Sequence, residues 1–100
     1  IYVDDVAKAI IKFMFNRTLI NKKFYWINIG TGMDKKIDAI VKKIAKIIDY
    51  KGKLVYNLKK PDGVKSKLMN INLSKKFGWS AKINLNHGLK KTIHWYKINK

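Results

Sequence analysis

The stretch FYWINIG, residues 24–30, is followed by the turn Thr31-Gly32 and by an isoleucine-rich segment, residues 34–49. Its first part is a short apolar run rich in β-forming residues, as in a strand that is covered on both faces. In the second part apolar residues recur at helical spacing, with Asp34 at the expected N-cap and Gly52 at the expected end. A strand, a tight turn and an amphipathic helix in this order are typical of an α/β protein with a parallel sheet.

The same alternation extends in both directions along the chain. It predicts short strands at residues 1–3 and 53–58. A first helix is predicted from Asp4 as N-cap to about residue 15, and a short helix over residues 72–79 that ends at Gly78. A last helix is predicted over residues 86–97, with Asn86 as N-cap. We therefore predict an α/β fold in which short parallel strands alternate with helices. Three such strands with open edges are marginal by themselves, and the chain begins with Ile1 inside an apparent strand, so we expect a fragment that lacks an N-terminal domain.

The composition limits the functional classes. The chain has 100 residues and no cysteine, which excludes disulfides and thiolate chemistry, and its apolar runs are too short for a membrane span, so we expect a cytoplasmic protein. A net charge of +17 leaves a small nucleic-acid-binding module open as an alternative. However, Arg17 is the only arginine, and phosphate or base contacts favour the planar guanidinium over lysine. A general compositional bias explains the excess of lysine better, and it also fits a decayed remnant without activity.

The loop PDGVKSK, residues 61–67, is the main candidate site. Pro61 and Gly63 predict a tight turn that holds Asp62 at its tip, with Lys65 and Lys67 close by. A carboxylate accepts hydrogen bonds from a sugar or a base, ammonium groups match a phosphate, and loops at strand ends bind ligands in α/β sheets. From the residues alone, a ligand-binding loop and an ordinary solvated turn both remain open.

Other motifs predict no catalytic or metal site within the chain. The turn NIGTG, residues 28–32, has two of the three glycines that a dinucleotide-binding loop requires. Asp4 and Asp5 are adjacent and do not face each other on a helix. His87 and His94 lack a nearby carboxylate or thiolate to complete a metal site. We attribute the Tyr-x-x-x-Lys spacing of Tyr96 and Lys100 to chance, because it lies at the last residue.

Several stretches resemble GDP-L-fucose synthase, an extended short-chain dehydrogenase/reductase that acts as a GDP-4-keto-6-deoxymannose 3,5-epimerase/4-reductase. They cover essentially the whole chain and occur in the order and at the spacing typical of that family. These stretches are VDDVA (3–7), WINIGTG (26–32), YKGKLVYN (50–57), KPDGVKSKLMN (60–70), LSKKFGW (73–79) and INLNHGLKKTIHWY (83–96).

The resemblance implies that residues 1–100 are the C-terminal, nucleotide-sugar-binding portion of an extended Rossmann-type enzyme. The catalytic residues and the N-terminal domain that binds NADP(H) would precede Ile1, so this chain alone is expected to be inactive. Asp62 and Lys67 would contact the GDP-sugar, and the full-length enzyme would be a homodimer without membrane or nucleic-acid partners. Ser66 replaces an arginine of the family pattern, and Asn70 replaces an acidic residue. A generic sugar-nucleotide epimerase or dehydratase of the same superfamily remains an alternative.

Overall fold

The computed structural model describes residues 1–16, 26–61 and 63–100. Within these ranges the chain forms four helices, which are α1 (Val3–Phe15), α2 (Ile37–Ile47), α3 (Asn72–Lys76) and α4 (Leu85–Ile98). The chain divides into two compact units. Unit 1 consists of Ile1–Met33 and Met69–Lys100, and unit 2 consists of Asp34–Leu68.

The predicted alternation of strands with helices is not confirmed, because the described residues contain no strand. Residues 26–29 and 53–57 have no regular secondary structure, and helix α1 already begins within the predicted first strand. Residues 24 and 25 of the predicted second strand lie outside the described residues. A strand is defined by hydrogen bonds to a neighbouring strand, so an apolar pattern forms one only where such a neighbour is present.

Helix α1 has Tyr2 as its N-cap, so the prediction of Asp4 in that position is wrong. The backbone carbonyl of Tyr2 accepts hydrogen bonds from the N–H groups of Asp5 at 3.1 Å and Val6 at 3.3 Å, and no side chain caps the helix. The two aspartates instead lie in the first turn, where their negative charges interact favourably with the positive end of the helix dipole.

The side chains of Asp4 and Asp5 have different partners. Asp5 is 2% exposed, and one of its carboxylate oxygens accepts hydrogen bonds from the backbone N–H groups of Lys82 at 2.9 Å and Ile83 at 2.8 Å. Asp4 forms an ion pair with Lys91 at 2.8 Å. The two carboxylates therefore act separately, and Asp5 joins the start of α1 to the segment before α4.

Helix α3 and the residues around it supply much of the buried part of unit 1. Ile71 and Trp79 are buried together with Ala9 of α1, and the buried hydroxyl of Ser74 donates a hydrogen bond to the carbonyl of Ile71 at 2.9 Å. Gly78 follows the helix with φ at +72°, a conformation that favours glycine. The prediction that a short helix closes at Gly78 is thus confirmed.

Helix α4 begins slightly earlier than predicted, and its N-cap is Asn84 rather than Asn86. The side-chain oxygen of Asn84 accepts a hydrogen bond from the N–H of His87 at 2.9 Å. Asn84 and Asn86 are both favourable caps, and they lie two residues apart, so propensity alone does not choose between them.

Unit 2 contains helix α2, which is shorter than the predicted helix over residues 34–49. Its N-cap is Lys36 without a side-chain hydrogen bond, so the prediction of Asp34 as the cap is wrong. Past its end, Asp49 and not Gly52 takes the left-handed conformation, with φ at 55°. The predicted apolar stripe is half-buried in its middle, whereas Ile37 at its start is 78% exposed.

Unit 1 carries an apolar groove of about 320 Å³. Several of its side chains are largely exposed, among them Trp26 at 76% and Met14 at 64%. The groove is lined by Ala9, Ile10, Phe13, Met14, Trp26, Ile27 and Ile29. No helix among the described residues is both long and apolar enough to cross a membrane.

Candidate functional site

The candidate loop is exposed in the structure. Its described residues, Pro61 and 63–70, have neither helix nor strand, and Lys67 lies on the surface. At the entrance to the loop, the side chain of Asn57 accepts a hydrogen bond from the N–H of Lys59 at 3.1 Å. Asp62, the other predicted contact residue, lies outside the described residues. An exposed basic loop of this kind is accessible to an anionic ligand.

Asp34 is joined to this loop across 32 positions of sequence. The hydroxyl of Ser66 donates a hydrogen bond to Oδ2 of Asp34 at 2.7 Å, and the N–H of Lys35 donates to Oδ1 at 2.8 Å. Ser66 also accepts a hydrogen bond from the N–H of Leu68 at 3.4 Å. The bond from Ser66 and then that from Lys35 lower the pKa of Asp34 from its ordinary value of 3.8. The sequence did not predict this role of Asp34, because a helix cap and a loop anchor use the same residue types.

A second carboxylate connects helix α2 to the segment before the loop. The hydroxyl of Tyr56 donates a hydrogen bond to Asp38, and Nζ of Lys42 lies 2.9 Å from the other carboxylate oxygen of Asp38. The bond from Tyr56 and then that from Lys42 lower the pKa of Asp38 from 3.8. Asp34 therefore contacts the loop at Ser66, and Asp38 contacts the segment before the loop at Tyr56. Both carboxylates lie at or near the start of α2.

Removing the Tyr56 hydroxyl is expected to raise the pKa of Asp38 towards its ordinary value. Because folding lowers the pKa of Asp38, its contribution to the free energy of unfolding is fully present at pH values above the pKa of the unfolded state. That contribution is lost as the pH falls through the pKa of the folded state. NMR titration of the Asp38 carboxyl group in the Tyr56→Phe variant measures the shift, with Tyr50→Phe as the control. If the pKa of Asp38 is the same in both variants, the hydrogen bond between Tyr56 and Asp38 is contradicted.

The turn NIGTG does not form a dinucleotide-phosphate loop in the described structure. Gly32 has φ at +70°, and a Cβ atom at this position would lie 2.5 Å from Cδ1 of Ile71. The space beside Gly32 is therefore filled by the Ile71 side chain and is not open to a ligand. The next helix begins only at Ile37, so no helix N-terminus follows the turn directly. Gly32 serves close packing against Ile71 here, and the turn does not fit the phosphates of NADP(H).

The remaining polar residues form no catalytic cluster that the structure describes. His87 and His94 are both exposed on α4. Across residues 1–16, 26–61 and 63–100, no group of three or more His, Cys, Asp or Glu side chains is arranged to hold a metal ion. Loop residues 63–68 and their anchor Asp34 are therefore the part of the described chain that best fits a binding site.

The comparisons with known proteins agree with the resemblance seen in the sequence. No protein-family model matches the chain. The chain is 39% identical over 95 residues to the GDP-L-colitose synthase of Yersinia pseudotuberculosis, which is 95% of this chain and 30% of that protein. It is 36% identical over 104 aligned positions to the GDP-L-fucose synthase of Escherichia coli K12, which is 99% of this chain and 32% of that protein.

A solved structure extends the similarity to the backbone. The chain is similar to a GDP-mannoheptose C4 reductase from Campylobacter jejuni, solved with NADP bound, with a TM-score of 0.81 and 36% sequence identity. The match covers 97% of this chain and 30% of that protein. The chain thus spans about a third of the length of the relatives that it matches. Over nearly its whole length, this chain is a relative of part of the GDP-L-fucose synthases, which are extended short-chain dehydrogenases/reductases.

Proposed function

We propose that this chain is the C-terminal part of a GDP-L-fucose synthase. The complete enzyme would convert GDP-4-keto-6-deoxy-D-mannose to GDP-L-fucose by 3,5-epimerisation and NADPH-dependent reduction at C4. The observation that carries the proposal is the similarity of nearly the whole chain, in sequence and in backbone, to proteins that act on GDP-sugars. Product analysis of the complete enzyme distinguishes this activity from that of a generic sugar-nucleotide epimerase.

The role of this portion is to hold the nucleotide-sugar. Asp62 would accept hydrogen bonds from hydroxyl or N–H groups of the substrate, and the ammonium group of Lys67 would face its diphosphate. The exposure of Lys67 and the anchoring of its loop by Asp34 support this role. The residues that carry out epimerisation and hydride transfer belong to the N-terminal portion.

That N-terminal portion would also bind NADP(H), which supplies the hydride for the reduction. The turn NIGTG does not fit the cofactor phosphates, which supports placing the cofactor mainly on the other domain. The exposed apolar groove of unit 1 is the surface we assign to contact with that domain. In the complete enzyme, residues 26–29 and residues 53–57 would each gain a neighbouring strand, so that short parallel strands alternate with helices, and the enzyme would form a homodimer.

Replacing either proposed contact residue is expected to weaken substrate binding. In the complete enzyme, Asp62→Ala or Lys67→Ala removes one charge-assisted hydrogen bond, which corresponds to about a 10- to 100-fold higher KM for the GDP-keto-sugar. The KM for NADPH is expected to stay unchanged. Steady-state kinetics with each substrate varied in turn measures both values.

Lys75→Ala is the matched control, because Lys75 is an exposed lysine on α3 and lies outside the loop. Its KM for the GDP-keto-sugar is expected to equal that of the wild type. If the KM for the GDP-keto-sugar is unaltered in both loop variants, the loop does not contribute to substrate binding. A complete wild-type enzyme that does not form GDP-L-fucose would refute the proposed function itself.

A further inference from the structure

The two oxygens of the Asp34 carboxylate have different partners. Oδ1 accepts the hydrogen bond from its own neighbour, Lys35, and Oδ2 accepts the one from Ser66. Ser66 accepts in turn from the N–H of Leu68, so the Ser66 hydroxyl links Asp34 to the backbone of the loop.

The reach of the Ser66 side chain decides what this residue can do. The serine hydroxyl is short and is already used by Asp34 and Leu68. It therefore orders the backbone and is not itself directed at a ligand.

We propose that Asp34 and Ser66 form a positioning pair that presents Lys67 to the diphosphate of a nucleotide-sugar. The proposal rests on the proposed function, because it deepens the role of the same loop. Lysine has a flexible four-carbon stem and offers only a point charge, so its affinity for an anion depends on how much freedom it loses on binding. An anchored backbone removes part of that cost before the ligand arrives. Asp34 and Ser66 act through Lys67 and do not touch the substrate.

The test uses the complete enzyme and the variants Asp34→Ala, Ser66→Ala and the double variant. Each single variant is expected to raise the KM for the GDP-keto-sugar about 2- to 10-fold, with kcat and the KM for NADPH unchanged. The double variant is expected to be no worse than the poorer single variant, because both changes remove the same contact. Ser66→Thr keeps the hydroxyl and is expected to retain the wild-type KM.

Asp49→Asn is the charge-matched control. Asp49 is also an exposed carboxylate of unit 2, but it pairs with Lys51 at 2.6 Å and not with the loop, and asparagine tolerates its left-handed backbone. Hydrogen exchange of residues 66–68 gives a second readout, which is expected to speed up in the Asp34 and Ser66 variants and not in the control.

The outcomes separate the two proposals. If the wild type shows a saturable KM for the GDP-keto-sugar but Ser66→Ala and Asp34→Ala do not change it, the positioning pair is refuted and the proposed function stands. If the increases in the KM for the GDP-keto-sugar are fully additive in the double variant, the positioning pair is also refuted. If the wild type neither binds nor converts the GDP-keto-sugar, the proposed function fails and the positioning role fails with it.

Discussion

Replacing Asp5 with alanine is expected to lower the free energy of unfolding by about 2–5 kcal/mol, the largest effect of a single substitution that we predict. The Asp5 carboxylate is almost fully buried and accepts hydrogen bonds from two backbone N–H groups, those of Lys82 and Ile83. Alanine would leave both donors without their partner, and a buried donor without a partner is costly because it has also lost its contact with water.

Urea unfolding of the polypeptide that contains this chain measures the loss, and hydrogen exchange at the amides of Lys82 and Ile83 localises it. Asp4→Ala is the matched control at the adjacent position, since it removes the same charge near the start of the helix but only an ion pair of two partly exposed groups, and it is expected to cost less. Asp5→Asn keeps an acceptor oxygen and should fall between the two. Equal losses in Asp4→Ala and Asp5→Ala would contradict the role assigned to Asp5.

Replacing Gly32 with alanine is expected to cost about 2–4 kcal/mol, for two separate reasons. Its φ of +70° is unfavourable for a residue with a Cβ atom, and that atom would lie 2.5 Å from Cδ1 and 3.2 Å from Cγ1 of Ile71. Ile71 is 6% exposed, so its side chain has little room to move away. Thermal or urea unfolding of the variant measures the combined cost.

Gly78→Ala separates the two causes. Gly78 has nearly the same backbone conformation, with φ at +72°, but the nearest atom to a Cβ there is Nζ of Lys12 at 3.6 Å. We expect about 1 kcal/mol for this variant, from the backbone term alone. Combining Gly32→Ala with Ile71→Val removes the closer contact and should recover part of the loss. A cost of Gly32→Ala no larger than that of Gly78→Ala would show that the contact with Ile71 is unimportant.

The helices were predictable from the sequence, but their N-caps were not. Apolar periodicity predicted α1, α2 and α4, and the glycine at position 78 predicted the end of α3. The three predicted caps, Asp4, Asp34 and Asn86, are all replaced by a nearby residue. Capping energies are close to 1 kcal/mol, so a tertiary contact such as that between Asp34 and Ser66 easily redirects a side chain that propensity assigns to a helix end.

By itself, the sequence determined the helical segments, the turn at Gly78 and the similarity to GDP-L-fucose synthases, because these depend on local spacing and on motifs read along the chain. Only the tertiary structure decided which partners the carboxylates have. Asp5 contacts amides 77 and 78 positions away, and Asp34 contacts a hydroxyl 32 positions away. The strands also depend on neighbours that an apolar pattern does not specify, since hydrogen bonds between distant segments are set by how the chain packs and not by its local order.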